Sequence, residues 1–145
     1  MPLATGAAIP TMQNPPAPET GPTVLVIEDD PIVSRLLSHT LTRRGFIVEI
    51  AADGQRAAEL LKAMPPPAVV LLDVMLPYYY GFELIQLIRA TNEWRHVPII
   101  ILTSMSQERS VVRALDAGAN DCIAKPFRPE ELIARVRRFT SLATA

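Results

Sequence analysis

The chain contains a single cysteine, Cys122, so it closes no internal disulfide, and its cysteine usage suits a reducing cytoplasm. It has only two histidines, His39 and His96, each standing alone with no ligand at metal-binding spacing, which excludes a recognisable zinc site. No stretch approaches the roughly 18 consecutive apolar residues of a membrane-spanning helix. The opening MPLATGAAIP has no basic start followed by a continuous apolar segment, so a secretion signal is not expected. Neither sign of charge prevails: the formal net charge is −1. That balance gives no general electrostatic reason to bind nucleic acid or an anionic membrane. Contact with DNA is expected only through another domain or a partner.

What is present is ordered by proline. Residues 1–22 hold six of the fourteen prolines and one charged residue, Glu19. Proline removes backbone donors and fixes φ, so this stretch is expected to be an extended, poorly ordered leader. From Thr23 a regular alternation begins. Val24–Ile27 is a short apolar run, as expected of a strand covered on both faces. Pro31 suits a first helical turn, Ile32, Leu36, Leu37 and Leu41 supply an apolar stripe, and Gly45 ends the helix. A second strand over 46–51 leads to a helix from about Asp53 to Met64. Pro65–Pro67 break the chain, and a third strand over 68–72 ends at Asp73. Phe82, Leu84, Ile85 and Ile88 mark a third helix. A fourth strand over 97–102, a helix over 107–117 stopped by Gly118, a short strand over 122–124 and a helix over 129–140 complete the pattern. The reading gives one domain over 23–142, with 143–145 as its end and no further domain after the last helix.

Five strand–helix units with short connections predict an α/β fold: a doubly wound, five-stranded parallel sheet with helices on both faces. Such sheets place their sites beyond the carboxyl ends of the strands. In the order 2-1-3-4-5 the ends of strands 1, 3, 4 and 5 are neighbours, and they carry Glu28, Asp29 and Asp30, then Asp73, then Thr103 and Ser104, then Lys125. The second strand ends in Ala51–Ala52, without chemistry. A single acid after a strand is ordinarily a turn residue or a helix cap. Their joint occurrence at adjacent strand ends is the informative feature. Crowded carboxylates resist ionising together, and a hard divalent cation such as Mg²⁺ relieves the repulsion through oxygen ligands. With a lysine and a hydroxyl, the set suits phosphoryl transfer to an aspartate.

Four ordered motifs, VLVIEDD, LLDVMLP followed shortly by Gly81, ILTS and CIAKPF, resemble the receiver domain of two-component response regulators over roughly residues 23–142. The resemblance implies the CheY-like, flavodoxin-like (βα)5 fold and makes Asp73 the phosphoacceptor. It further implies that Asp29, Asp73 and the backbone carbonyl of Met75 bind Mg²⁺ (or Mn²⁺), with Glu28 acting directly or through water. Asp30 is expected to cap a helix. Thr103 would hydrogen-bond the phosphoryl group and Lys125 would pair with it, with a cis bond before Pro126. The donor implied is a histidine kinase or a histidine phosphotransfer protein, and a downstream protein target would read the phosphorylated state. No turnover chemistry beyond self-catalysed phosphorylation and dephosphorylation is expected.

The chain departs from the family pattern at the switch position three residues before the lysine, where Cys122 replaces the usual Tyr or Phe. Tyr78-Tyr79-Tyr80 stand where small residues and an acid are usual, which suggests a partner contact, a lid, or packing on their own helix. Met75 and Met105 cannot orient an attacking water, which predicts a long-lived phosphoryl group. Asp116, Asp121, Arg135 and Arg137 resemble the residues of intersubunit salt bridges in receivers of the winged-helix class, with Val111 in place of a basic partner for Glu131. They suggest a dimer through the last two helices and the fifth strand. A phosphorylation-independent docking module is the main alternative. A flavin mononucleotide binder is set aside, because three acids occupy the place of its phosphate loop.

Overall fold

The computed structural model describes residue 16 and residues 20–75, 81–104 and 108–144, without the side chains of 108–110 and 141–144. Most of the proline-rich leader, the Tyr78–Tyr80 run and Met105 lie outside the described residues.

The elements alternate as β1 (Thr23–Ile27), α1 (Pro31–Thr42), β2 (Ile47–Ala51), α2 (Gly54–Ala63), β3 (Val69–Asp73), α3 (Gly81–Ala90), β4 (Ile99–Ser104), α4 (Glu108–Ala117), β5 (Asp121–Lys125) and α5 (Pro129–Thr144). The five strands form one parallel sheet in the order β2-β1-β3-β4-β5. Parallel strands need crossovers, so both faces are covered by helices and the central strands are apolar except at their ends. Alternation of side chains along each strand then divides the core in two. Val24, Val26, Val69 and Leu71 pack with Leu37 and Leu41 of α1 and with Leu132, Ile133 and Val136 of α5. Leu25, Ile27, Val70 and Leu72 pack on the other side with Leu60 and Leu61 of α2, Leu84, Ile85 and Ile88 of α3 and Ala114 of α4.

Local signals explain the boundaries. Asp30 caps α1 by accepting the Ile32 N–H at 2.9 Å, and Asp53 caps α2 by accepting the Arg56 N–H at 2.8 Å. Pro31 sits in the first turn of α1, where a missing N–H costs nothing. Gly81 opens α3 against β3: its N–H donates to Val74 O at 3.0 Å, and a Cβ there would lie 2.6 Å from Val74 Cα. Only glycine fits so close to that backbone.

Several expected boundaries move. β4 begins at Ile99 rather than 97, because the chain is still turning there: Val97 N–H donates to Trp94 O at 3.0 Å after a 3-10 turn over Asn92–Trp94 that the pattern did not disclose. β4 is shifted two residues along the chain and β5 runs longer, so Thr103, Ser104 and Lys125 belong to the strands rather than to the loops after them. The helix expected over 129–140 continues to Thr144.

The expected stripe of α1 is half right. Leu37 and Leu41 are buried, whereas Ile32 is 78% exposed and Leu36 47% exposed. The sheet lies under the arc of Ser34, Leu37 and Leu41, and residues 32 and 36 point to the opposite arc.

Arg89, at the end of α3, makes a tether that the pattern also missed. Nε and Nη2 donate to Gly118 O at 3.1 and 2.8 Å, Nη1 donates to the carbonyls of Val97 and Arg95 at 2.7 and 3.0 Å, and Nη2 also reaches Asn120 Oδ1 at 2.8 Å. All acceptors are neutral, and burial holds its pKa below the ordinary value. Arg89 thereby fastens α3 to the loops before β4 and β5.

Candidate functional site

The carboxyl ends of β1, β3, β4 and β5 converge. Pairing of Ile27 with Leu72, Asp73 with Leu102 and Ser104 with Lys125 sets the ends of four strands side by side. Glu28 follows β1 directly, and its N–H donates to Ala51 O at 3.1 Å. Its side chain is therefore fixed inward, at 1% exposure, while Asp29 turns to solvent. Asp73, the last residue of β3, is buried as well. One carboxylate oxygen from each of Glu28, Asp29 and Asp73 lies within 4.8 Å of the others.

Lys125 reaches across from β5. Its Nζ donates to Glu28 Oε1 at 2.7 Å and lies 3.5 Å from Asp73 Oδ2. The other oxygens are held by main chain: Glu28 Oε2 accepts the Asp30 N–H at 3.2 Å, and Asp73 Oδ1 accepts the Met75 N–H at 3.0 Å. Thr103 is buried on β4, paired in register with Ala124 beside Lys125, and its hydroxyl donates to Ser104 O at 3.3 Å. The Lys125–Pro126 bond is cis.

The electrostatics follow from burial. Glu28 is held up at about 7 from an ordinary 4.5, chiefly because burial penalises its charge. The hydrogen bond from Lys125 opposes that shift, while hydrogen bonding and repulsion with Asp73 reinforce it. For Lys125 burial is the largest single influence and acts against the charge. The hydrogen bond to Glu28 and the charges of Asp73 and Glu28 outweigh it and raise the ammonium above its usual range.

This donor set fits a hard divalent cation. It is all oxygen, anionic, and clustered tightly enough that one of its carboxylates retains a proton when no cation is there to neutralise it. Asp29, Asp73 and Glu28 are the side chains that could hold Mg²⁺, with the neighbouring Met75 main chain.

Of the outlying residues, Asp30 is a cap, as expected. Cys122 is half-buried against the core on the α4 side, and burial first, then Asp121, pushes its thiol up against the opposing pull of Arg135. Asp121 and Arg135 pair with each other in the same chain, Nη1 to Oδ2 at 3.0 Å, and Arg135 also meets Glu131 at 3.3 Å. Asp116 and Arg137 are exposed. Sequence reasoning did not separate buried Glu28 from exposed Asp29. The apolar run before them signals burial, and Glu28 is simply the first residue past it.

Comparison with known proteins agrees with this geometry. Residues 24–137 match the response regulator receiver domain family model, and the chain belongs to that family. It is 42% identical over 114 residues to the response regulator MprA of Mycolicibacterium vanbaalenii, covering 79% of this chain and 48% of that protein. It is 37% identical over 116 residues to the DNA-binding dual master transcriptional regulator RpaA of Synechocystis, covering 80% of this chain and 48% of RpaA. The chain thus spans about half the length of these curated relatives. A response regulator structure from Chloroflexus aurantiacus superposes with a TM-score of 0.80 at 32% identity, covering 84% of this chain and 99% of that one. The receiver domain of a sensor histidine kinase from Pseudomonas aeruginosa, with a magnesium ion coordinated in its active-site cleft, superposes at 0.77 with 32% identity, over 83% and 98% of the two chains. The flavodoxin-like fold expected of the chain is the fold found.

Proposed function

We propose that the chain accepts a phosphoryl group on Asp73 from the phosphohistidine of a histidine kinase or phosphotransfer protein, with Mg²⁺ or Mn²⁺ bound by Asp29, Asp73, the Met75 carbonyl and Glu28. The observation that carries this reading is the convergence of three carboxylates within 4.8 Å, with the Lys125 ammonium 3.5 Å from Asp73.

In the transfer, an Asp73 carboxylate oxygen attacks phosphorus. The new P–O bond forms as the P–N bond to the donor imidazole breaks, its electron pair returning to that nitrogen. The Met75 N–H holds one Asp73 oxygen and so fixes the rotation of the carboxylate. Lys125, half-buried at the end of β5, supplies a positive charge to the phosphoryl oxygens, and Thr103 offers a hydroxyl from the adjacent strand. A bound divalent cation would neutralise the developing charge on those oxygens.

The phosphorylated state would switch binding to a downstream protein, or pairing of two copies through α4, β5 and α5, inside the cytoplasm. The reaction is self-catalysed acceptance and loss of phosphate, without turnover of another substrate. Intact-mass measurement after acetyl phosphate and Mg²⁺ treatment tests the reading. One added phosphoryl, lost in Asp73→Asn and without the cation, is the expected result. An unchanged mass under all conditions would leave only a phosphorylation-independent docking module.

A further inference from the structure

The solvent arc of α1 is apolar at one end and basic at the other. Ile32 is 78% exposed and Leu36 47% exposed. With His39 and Arg43 they stand at i, i+4, i+7 and i+11, a single stripe along the helix. α1 follows the carboxyl end of β1 and stops before the amino end of β2. The stripe therefore runs from the rim of the acidic cleft, at Ile32, to the far end of the domain, at Arg43. Charge limits what can cover it. No acid occurs between Asp30 and Glu49, whereas Arg35, Arg43 and Arg44 are all exposed. Two copies of this face would set arginines against arginines, which opposes a symmetric contact. An apolar segment without positive charge fits it better.

The leader is such a segment. Residues 1–19 contain no Lys, Arg or His, and their only charged side chain is Glu19. Pro2, Pro10, Pro15, Pro16 and Pro18 favour polyproline II, which turns once every three residues. At that period Leu3, Ile9, Met12, Pro15 and Pro18 fall on one side, while Thr5, Thr11 and Asn14 fall on another. Pro16, on the third side with Gln13 and Glu19, is exposed. The place where the leader joins the domain is fixed. Pro22 O accepts the Ile47 N–H at 2.9 Å, and the backbone bends at Thr20 and Gly21. Gly21 lies so close to Gly45 that a Cβ on it would strike the Gly45 carbonyl oxygen. The leader therefore departs over the turn between α1 and β2, next to Arg43.

We propose that the leader lies along the α1 stripe, with Ile9 and Met12 over Ile32 and Leu36 and with Glu19 beside Arg43. Arg43 is exposed and has no ion pair among the described residues, so the leader's one acid meets an available cation. The reach is sufficient. Arg43 to Ile32 is about 16 Å along the helix, and the chain from Thr20 back to Ile9 spans about 34 Å as polyproline II. Attached to the domain, the leader acts at an effective concentration of about millimolar, so an intrinsic affinity of that order covers the stripe about half of the time. Its far end then stands at the rim of the cleft, and a protein donor reaches Asp73 past the first turn of α1 only when the leader lifts. That consequence rests on the phosphotransfer proposed above; the contact itself does not.

Paramagnetic broadening in the full chain tests the contact. A nitroxide on T11C, in a C122S background so that it carries the one thiol, should broaden the amide signals of residues 32–43 and leave those around Leu87 on α3 sharp. I9S/M12S, and separately I32S/L36S, should each raise the remaining α1 signals at least about twofold, because the covered fraction is lost. All four side chains are replaced outside the buried core, and circular dichroism should not change. Mixing the nitroxide-bearing chain with nitrogen-15 chain that lacks it should broaden nothing. Equal broadening of α1 and α3, broadening of α1 that survives both double substitutions, or broadening in the mixed sample would each overturn the proposal, the last by giving the stripe to a second copy.

Discussion

Glu28 offers the sharpest test of the site, because its carboxyl couples pH, metal and stability. Its folded pKa is about 7 against an ordinary 4.5, raised first by burial. Between those values the folded chain holds a proton that the unfolded chain has lost, so stability must fall as pH rises through this window. The full shift corresponds to about 3 kcal/mol, an upper figure because solvent relaxation and the Lys125 contact moderate it. Lys125 adds no slope here, since its pKa is raised from an already high value and it stays charged throughout. A divalent cation replaces the proton, so its affinity should climb toward pH 7. At a hundredfold excess over Kd it would restore about 2.7 kcal/mol. Urea unfolding followed by the fluorescence of buried Trp94, at steps from pH 5 to pH 8, reads this directly. In chelator, stability should decline with pH; with Mg²⁺ the decline should flatten or reverse; in Glu28→Gln the metal-free decline should vanish. A metal-free profile that is flat, or identical in Glu28→Gln, would refute the assignment of a protonated Glu28 to this pocket.

Three further outcomes follow from the packing. Arg89→Lys removes most of a five-contact tether and should lower stability by about 2–3 kcal/mol in urea melts; a change under about 0.5 kcal/mol would show the tether to be dispensable. Gly81→Ala drives a methyl into the Val74 backbone and should cost about 2 kcal/mol or more, whereas an unchanged melting midpoint would mean that α3 shifts freely. Cys122 should react more slowly with iodoacetamide at neutral pH than a free thiol, because burial and Asp121 disfavour its thiolate. A faster reaction would overturn that electrostatic picture.

The fold was legible because each strand is a short apolar run and each turn carries a cap, a proline or a glycine. Asp30 is a cap, as the family resemblance implies, and Asp53 marks the start of α2. The site was legible for the same reason: once strand order is known, the residues after β1, β3, β4 and β5 must meet. The misreadings concern relations that periodicity does not encode. Ile32 and Leu36 share the helical spacing of a core stripe, yet which arc is covered depends on where the sheet lies. Arg89 finds its acceptors on main-chain carbonyls and on Asn120, far along the sequence. No residue type marks a carbonyl. Glu28 and Asp29 look equivalent in sequence, and only the backbone bond to Ala51 turns one of them inward.

The bond between Asp121 and Arg135 bears on how two copies of this chain could meet. The Asp121 carboxylate and both Nη atoms of Arg135 are already paired at home, so a symmetric assembly that shared them would exchange one contact for its equivalent and gain little from charge. Recognition at that edge would then have to come from shape, and the arginine would act as a gatekeeper of alignment rather than as an adhesive.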